Sequence, residues 1–201
     1  GRMNLSVAGT VPTISTQEAH TGKASLEVNS GSDIEFTVDI GASNFSTLHL
    51  YSGKTYHLSA WAKAASTESV SIEISFEDDL QQSTGAPVTY TSNGDVIEGW
   101  SRLDKAFTVP TQTTVVKFRI SGTGATAYLD DLRIHPENSA IKTFVYDPIT
   151  LRLVAELDAQ NFATFYNYDL EGTVVQVKKE TERGVMTLQN TRSHLQQAIN
   201  P

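Results

Sequence analysis

Across 201 residues the chain carries 15 basic and 23 acidic side chains, a formal net charge of −8, with 39% of residues hydrophobic and 19% charged. That is enough apolar material for one ordinary domain plus an appendage, or two small domains, and it excludes a disordered or fibrous chain. The acidic balance, with Lys and Arg scattered, argues against a nucleic-acid partner, and the absence of cysteine removes disulfides, thiolate metal sites and cysteine nucleophiles.

Strand periodicity dominates from Ala24 to Ile134. Ile34, Phe36, Val38 and Ile40 alternate with Glu35, Thr37 and Asp39, the period-two pattern of a half-buried strand. Tyr56, Leu58, Ala60 and Ala62 alternate with His57, Ser59, Trp61 and Lys63. Ile72, Ile74 and Phe76 alternate with Glu73, Ser75 and Glu77, and Val116, Phe118 and Ile120 alternate with Lys117, Arg119 and Ser121. Turn signals stand between them at Ser30-Gly31-Ser32, Ser52-Gly53-Lys54, Ser92-Asn93-Gly94-Asp95 and Gly122-Thr123-Gly124. Short strands, clean turns and no long helical stretch predict an all-β antiparallel β-sandwich, in its jelly-roll form. No apolar run approaches the roughly 18 residues of a membrane span, so no membrane insertion is expected.

The character changes after Arg133. His135-Pro136-Glu137-Asn138-Ser139 reads as a linker, dividing a sandwich at residues 1–136 from an appendage at 137–201. Within the appendage, Tyr146-Asp147 followed by a turn and an apolar strand recurs 22 residues later at Tyr168-Asp169, which suggests stacked hairpins. Asp158-Ala159-Gln160-Asn161 is the turn between them, and Glu182-Arg183-Gly184 turns strand 173–180 back on a strand near 185–190. Val185, Leu188, Leu195 and Ile199 read alternatively as one face of a helix.

Four segments in order carry a resemblance. They are His20-Thr21-Gly22-Lys23-Ala24-Ser25-Leu26-Glu27-Val28; Gly53 to Ala64; Trp100-Ser101-Arg102-Leu103 leading to Phe107-Thr108-Val109-Pro110; and Tyr128-Leu129-Asp130-Asp131-Leu132-Arg133-Ile134. Together they resemble the carbohydrate-binding modules attached to xylanases and other polysaccharide-degrading enzymes, which have a galactose-binding-like jelly roll. The appendage resembles the YD repeats of Rhs-type surface and toxin-shell proteins, with Phe165-Tyr166-Asn167-Tyr168-Asp169-Leu170-Glu171-Gly172 its best copy. The combination implies a non-catalytic glycan-binding module at the end of a larger secreted or bacterial cell-surface protein. The other reading is a structural domain that caps a YD-repeat assembly through other domains of its parent and binds no glycan.

Candidate binding residues follow. Alternation leaves Trp61 and His57 on the side of their strand away from the core, where an indole can stack on a sugar. Glu73 and Arg119, beside Glu77 and Lys117, would orient the hydroxyls if their strands are neighbours. The plainer reading packs Trp61 under a loop or against the C-terminal segment. Trp100 reads as a packing residue, while Tyr90 and Asp95 lie in the long stretch 78–99, which reads either as a binding loop or as bare surface. Asp130-Asp131 interrupts an apolar strand, so its carboxylates must be paired, capped or metal-bound. The resemblance implies a structural Ca2+ held by one of them with backbone oxygens near Thr21 to Lys23.

Catalysis is not expected. The acids Glu73, Glu77, Asp78 and Asp79 read as a solvated face, the five histidines show no metal-ligand spacing, and neither a nucleophile elbow nor a phosphate loop occurs.

Overall fold

In the computed structural model, residues 3–9, 11–40, 48–64, 70–91, 96–124 and 126–191 are described. The strands are β1 (Met3–Gly9), β2 (Thr13–Ser15), β3 (Ser25–Val28), β4 (Ser32–Asp39), β5 (Thr55–Ala64), β6 (Val70–Glu77), β7 (Val88–Thr91) and β8 (Val96–Ile97). They continue with β9 (Trp100–Thr108), β10 (Val115–Gly122), β11 (Ala127–Pro136), β12 (Thr143–Tyr146), β13 (Leu153–Leu157), β14 (Ala163–Tyr168), β15 (Val174–Thr181) and β16 (Gly184–Asn190). Three antiparallel sheets result, in the orders β1-β4-β10-β6-β7, β2-β3-β11-β5-β9-β8 and β12-β13-β14-β15-β16.

The first two sheets face each other as the expected all-β sandwich. Its core takes the inward halves of the alternating strands: Ile34 and Val38, Tyr56, Leu58 and Ala60, Ile72, Ile74 and Phe76, and Val116, Phe118 and Ile120. Leu103, Phe107 and Leu129 join them. Aromatic rings knit the middle, with Phe36 stacked on Phe118 at 4.8 Å between centroids and Phe107 edge-on to Phe118 at 6.1 Å.

The third sheet is a meander, and it explains the sequence echo. Asp147, Asp158 and Asp169, eleven residues apart, each open a turn that reverses the chain. Asp158 Oδ1 accepts the N–H groups of Gln160 and Phe162, and Asp158 N–H donates to the Phe162 carbonyl. Asp169 repeats this with Thr173, and Asp78 with Gln82 in the sandwich. In these three turns the residue three after the aspartate, Asn161, Gly172 or Gln81, has positive φ. That is the left-handed position such a turn demands. The 22-residue period is therefore two strand-plus-turn units. Gly172 has a second constraint, because an added Cβ would lie 2.6 Å from the Arg152 guanidinium.

The C-terminal hairpin forms as a strand pair: Glu180 faces Val185 and Lys179 faces Met186. Val185 and Leu188 thus lie on a strand, not on the helix face that was the other reading. Leu195, Ile199 and the turn at Ser92 to Asp95 lie outside the described residues.

Candidate functional site

Two aspartates in β11 organise the seam between the sandwich and the third sheet. The strand carries a bulge between Asp130 and Arg133, and Asp131 adopts φ 49°. An extra residue in a ladder bends the strand and re-aims its side chains, so neither carboxylate enters the core. Asp130 Oδ2 accepts the backbone N–H of His20 at 2.8 Å and of Thr21 at 3.2 Å, while its Oδ1 accepts the N–H of Asp131. Asp131 Oδ1 accepts the Thr21 hydroxyl at 2.7 Å.

His20 completes the cluster. Its Nδ1 lies 2.7 Å from Asp131 Oδ2 and its Nε2 lies 2.9 Å from Glu180 Oε1, across the seam in β15. The other oxygen of Glu180 accepts the N–H of Ala163. Burial alone would lower the imidazole pKa; hydrogen bonds to Asp131 and Glu180, and their charges, outweigh it and raise the pKa to about 9. His20 is therefore an imidazolium at neutral pH. Burial pushes Asp130 in the opposite direction for an acid, upward, with the charge of Asp131 adding to it.

This arrangement bears on calcium, which wants six to eight oxygens. Both oxygens of Asp130 and both of Asp131 already accept N–H or O–H donors, and the neighbouring cation is His20. The side chain of Lys23 points to the third sheet: its Nζ pairs with Asp147 Oδ2 at 2.5 Å, which holds the Asp147 carboxyl well below the usual carboxylate range. The residues as arranged do not fit a calcium ion. Among the described residues no group of three or more His, Asp or Glu is disposed to hold a metal.

The five residues expected to bind a ligand do not converge. Trp61 and His57 sit on the outer face of the second sheet, because β5 belongs there, whereas Glu73 and Arg119 sit on the outer face of the first sheet. Consecutive strands β5 and β6 go to opposite sheets, so the whole sandwich separates the two pairs. Tyr90 points inward, 3% exposed, with its hydroxyl donating to the Lys105 carbonyl.

Trp61 is 0% exposed and cannot be the half-wet platform that alternation suggested. The turn from Asp158 to Phe162 lies over it: Nε1 donates to the Asn161 carbonyl at 2.7 Å and Phe162 meets the indole edge-on at 5.9 Å. Trp100, Ile97 and Val185 close the same small cluster. The plainer reading of Trp61, packing against the C-terminal segment, is the one observed. Asn161 also donates from Nδ2 to the Asp131 carbonyl.

Sequence reasoning missed His20, Glu180, Asn161 and Arg133. Asn161 had a local signal, three residues after a turn-opening aspartate. The others had none, since the partners of His20 lie 111 and 160 residues away. Arg133 is 8% exposed and its Nε, Nη1 and Nη2 have no hydrogen-bond partner among the described residues; the same holds for the hydroxyl of Ser59, its cross-strand neighbour, and for His135 Nε2. Burial pulls the Arg133 guanidinium pKa down.

The outer face of the first sheet is different in kind. Arg119 faces Glu35 on one side and Glu73 on the other, and Glu73 faces Thr89. Lys117 stands between Thr37 and Ser75 in the next row, its Nζ 2.5 Å from Glu77. Arg119 Nε donates to both oxygens of Asp33, at 2.8 and 2.9 Å, and Nη2 also reaches Oδ2, which lowers the Asp33 pKa. Val115 apart, the outward side chains of β4, β6, β7 and β10 are thus polar or charged, in rows across four strands.

Residues 6–127 match the family described as carbohydrate binding domain. The chain belongs to that family. It is a non-catalytic carbohydrate-binding module built on an antiparallel jelly roll. The matched stretch ends at the start of β11, so the third sheet lies outside it.

Among solved structures the module is similar to the CBM22-1 xylan-binding domain of Xyn10C from Paenibacillus barcinonensis, with 15% identity, 68% of this chain and 87% of that chain covered, and a TM-score of 0.46. It is also similar to the CBM22-1–GH10 modules of the Clostridium thermocellum xylanase Xyn10B, with 16% identity, coverages of 67% and 26%, and a TM-score of 0.49. A third is the enzymatically active domain of tailspike protein 4 from bacteriophage CBA120, at 17% identity, coverages of 67% and 19%, and a TM-score of 0.42. The module thus spans about a fifth and a quarter of the tailspike and xylanase chains. No curated protein matches the sequence.

Proposed function

We propose that this module holds its polysaccharide across the open outer face of the first sheet, with Arg119 and Glu73 as the central contacts and Glu35, Lys117 and Thr89 flanking them. The observation that carries the reading is the division of labour between the faces. The outer face of the second sheet is capped around Trp61 by the third sheet, while among the described residues no strand lies over the rows on the first sheet. Paired carboxylates and guanidinium groups offer both acceptors and donors to sugar hydroxyls, already held in place by each other. His57, on the second sheet with its Nδ1 2.9 Å from Asp104, and Tyr90, in the core, take no part in this reading.

The parent, in the same reading, is a larger secreted or cell-surface protein of a bacterium. The appendage, which begins at residue 137 and is described to residue 191, is a set of YD-repeat-like hairpins that dock against its other domains. Phe144 and Tyr146 on the edge strand β12, and Met186 and Leu188 on the edge strand β16, are exposed apolar side chains that support such docking. A structural cap without glycan affinity is the competing reading.

Affinity electrophoresis of the full chain through gels cast with xylan, mannan or β-glucan tests the proposal. Arg119→Ala and Glu73→Ala should each weaken retardation about tenfold without lowering the melting temperature. Retardation unchanged in both variants, or absent with every polysaccharide, overturns it.

A further inference from the structure

The seam itself holds a cavity. The loop between β2 and β3 approaches the third sheet closely at Gly22, where φ is 68° and an added Cβ would sit 3.1 Å from Val145 Cγ1. Beside this contact the two parts of the chain leave a cavity of about 250 Å³, walled by His20 and Lys23 from the sandwich and by Asp147, Val154, Phe165 and Asn167 from the third sheet.

Its walls are of two chemistries. Phe165 and Val154 give apolar surface, while Lys23, Asp147 and Asn167 give donors and acceptors. His20 is fixed from both ring nitrogens and stacked against Trp61, so the wall it forms is rigid. Asn167 donates one N–H to Gln176 Oε1, and its carboxamide has further hydrogen-bonding capacity. The Lys23 charge is met by Asp147, so the site has no uncompensated cation to select an anion. The volume falls below the range of about 300–1,000 Å³ common for drug-sized ligands.

We infer that this seam cavity binds one neutral pentose or hexose unit, such as a glycan's terminal residue, with its C–H surface against Phe165 and Val154 and its hydroxyls toward Lys23, Asp147 and Asn167. The inference rests on the reading of the chain as a glycan-binding module but not on which sheet face holds the polymer. The wall at His20 is already held in place and needs no ordering on binding, which favours affinity for so small a ligand.

The test uses the intact, isotope-labelled chain titrated separately with xylose, galactose and glucose, following backbone amide shifts. At least one sugar should give saturable shifts at residues 20–23 and 165–167. Val154→Trp, which fills the cavity, should remove them, and Asn167→Ala, the milder change, should weaken them about fivefold. Polysaccharide retardation of the same samples separates the two readings. Seam shifts without retardation sustain this inference alone, and retardation without seam shifts overturns it alone. Shifts that persist in both variants overturn it as well.

Discussion

The imidazole ring of His20 lies nearly flat on the indole of Trp61, with centroids 4.2 Å apart and planes 16° from parallel. His20 comes from the loop between β2 and β3 and Trp61 from β5, and both are buried at the seam with the third sheet. A charged ring on an indole face gains from the ring quadrupole, and more so where water is excluded. Trp61 also donates to Asn161 and His20 pairs with Glu180, so this stack is where the sandwich and the third sheet become one body.

Stability should therefore fall at alkaline pH. The His20 pKa is raised from 6.5 in the free residue to about 9 in the folded chain. A raised folded pKa means the contribution is complete below 6.5, shrinks as pH rises above it, and is gone once pH passes 9. The whole effect is worth about 3 kcal/mol. Melting temperature followed from pH 6 to 10 should decline for the native chain, and His20→Gln should flatten that decline; equal slopes in both would refute the assignment.

Trp61→Ala should destabilise the chain by about 3–5 kcal/mol, the range for removing a buried aromatic. The loss should appear in denaturant unfolding, together with faster proteolysis between residues 137 and 142 as the third sheet loosens. A change below about 1 kcal/mol would mean that the indole is not a packing residue.

Arg133→Met should leave stability unchanged or raise it by about 1–3 kcal/mol. Replacing a buried guanidinium whose nitrogens are unpaired by an apolar chain of similar length removes a desolvation cost without breaking a hydrogen bond. Chemical denaturation measures this directly, and a loss above 1 kcal/mol would show that the charge serves the fold.

Chelation should leave the melting temperature where it is. The oxygens of Asp130 and Asp131 are taken up by His20, Thr21 and backbone donors, which leaves calcium little to bind there. Calorimetry with EDTA, and with added calcium, checks this; a calcium-dependent rise of several degrees would contradict it.

What the amino-acid order decided by itself is the inside of the sandwich. Two-residue alternation named Ile34, Leu58, Ile74 and Phe118 as core positions, and the aspartate turns announced the meander, because inward-or-outward and turn-or-strand are properties of a few adjacent residues. The tertiary structure alone decided what covers the outward side. Alternation put Trp61 away from the core correctly, but whether that side meets water depends on Asn161 and Phe162, a hundred residues on. It also decided that Glu73 and Trp61, only twelve positions apart, stand on opposite faces, since successive strands of a jelly roll cross between sheets. The His20–Asp131–Glu180 cluster is the extreme case: three ordinary side chains, two of them 111 and 160 residues from His20, form one hydrogen-bonded group only where the fold brings them together and excludes water.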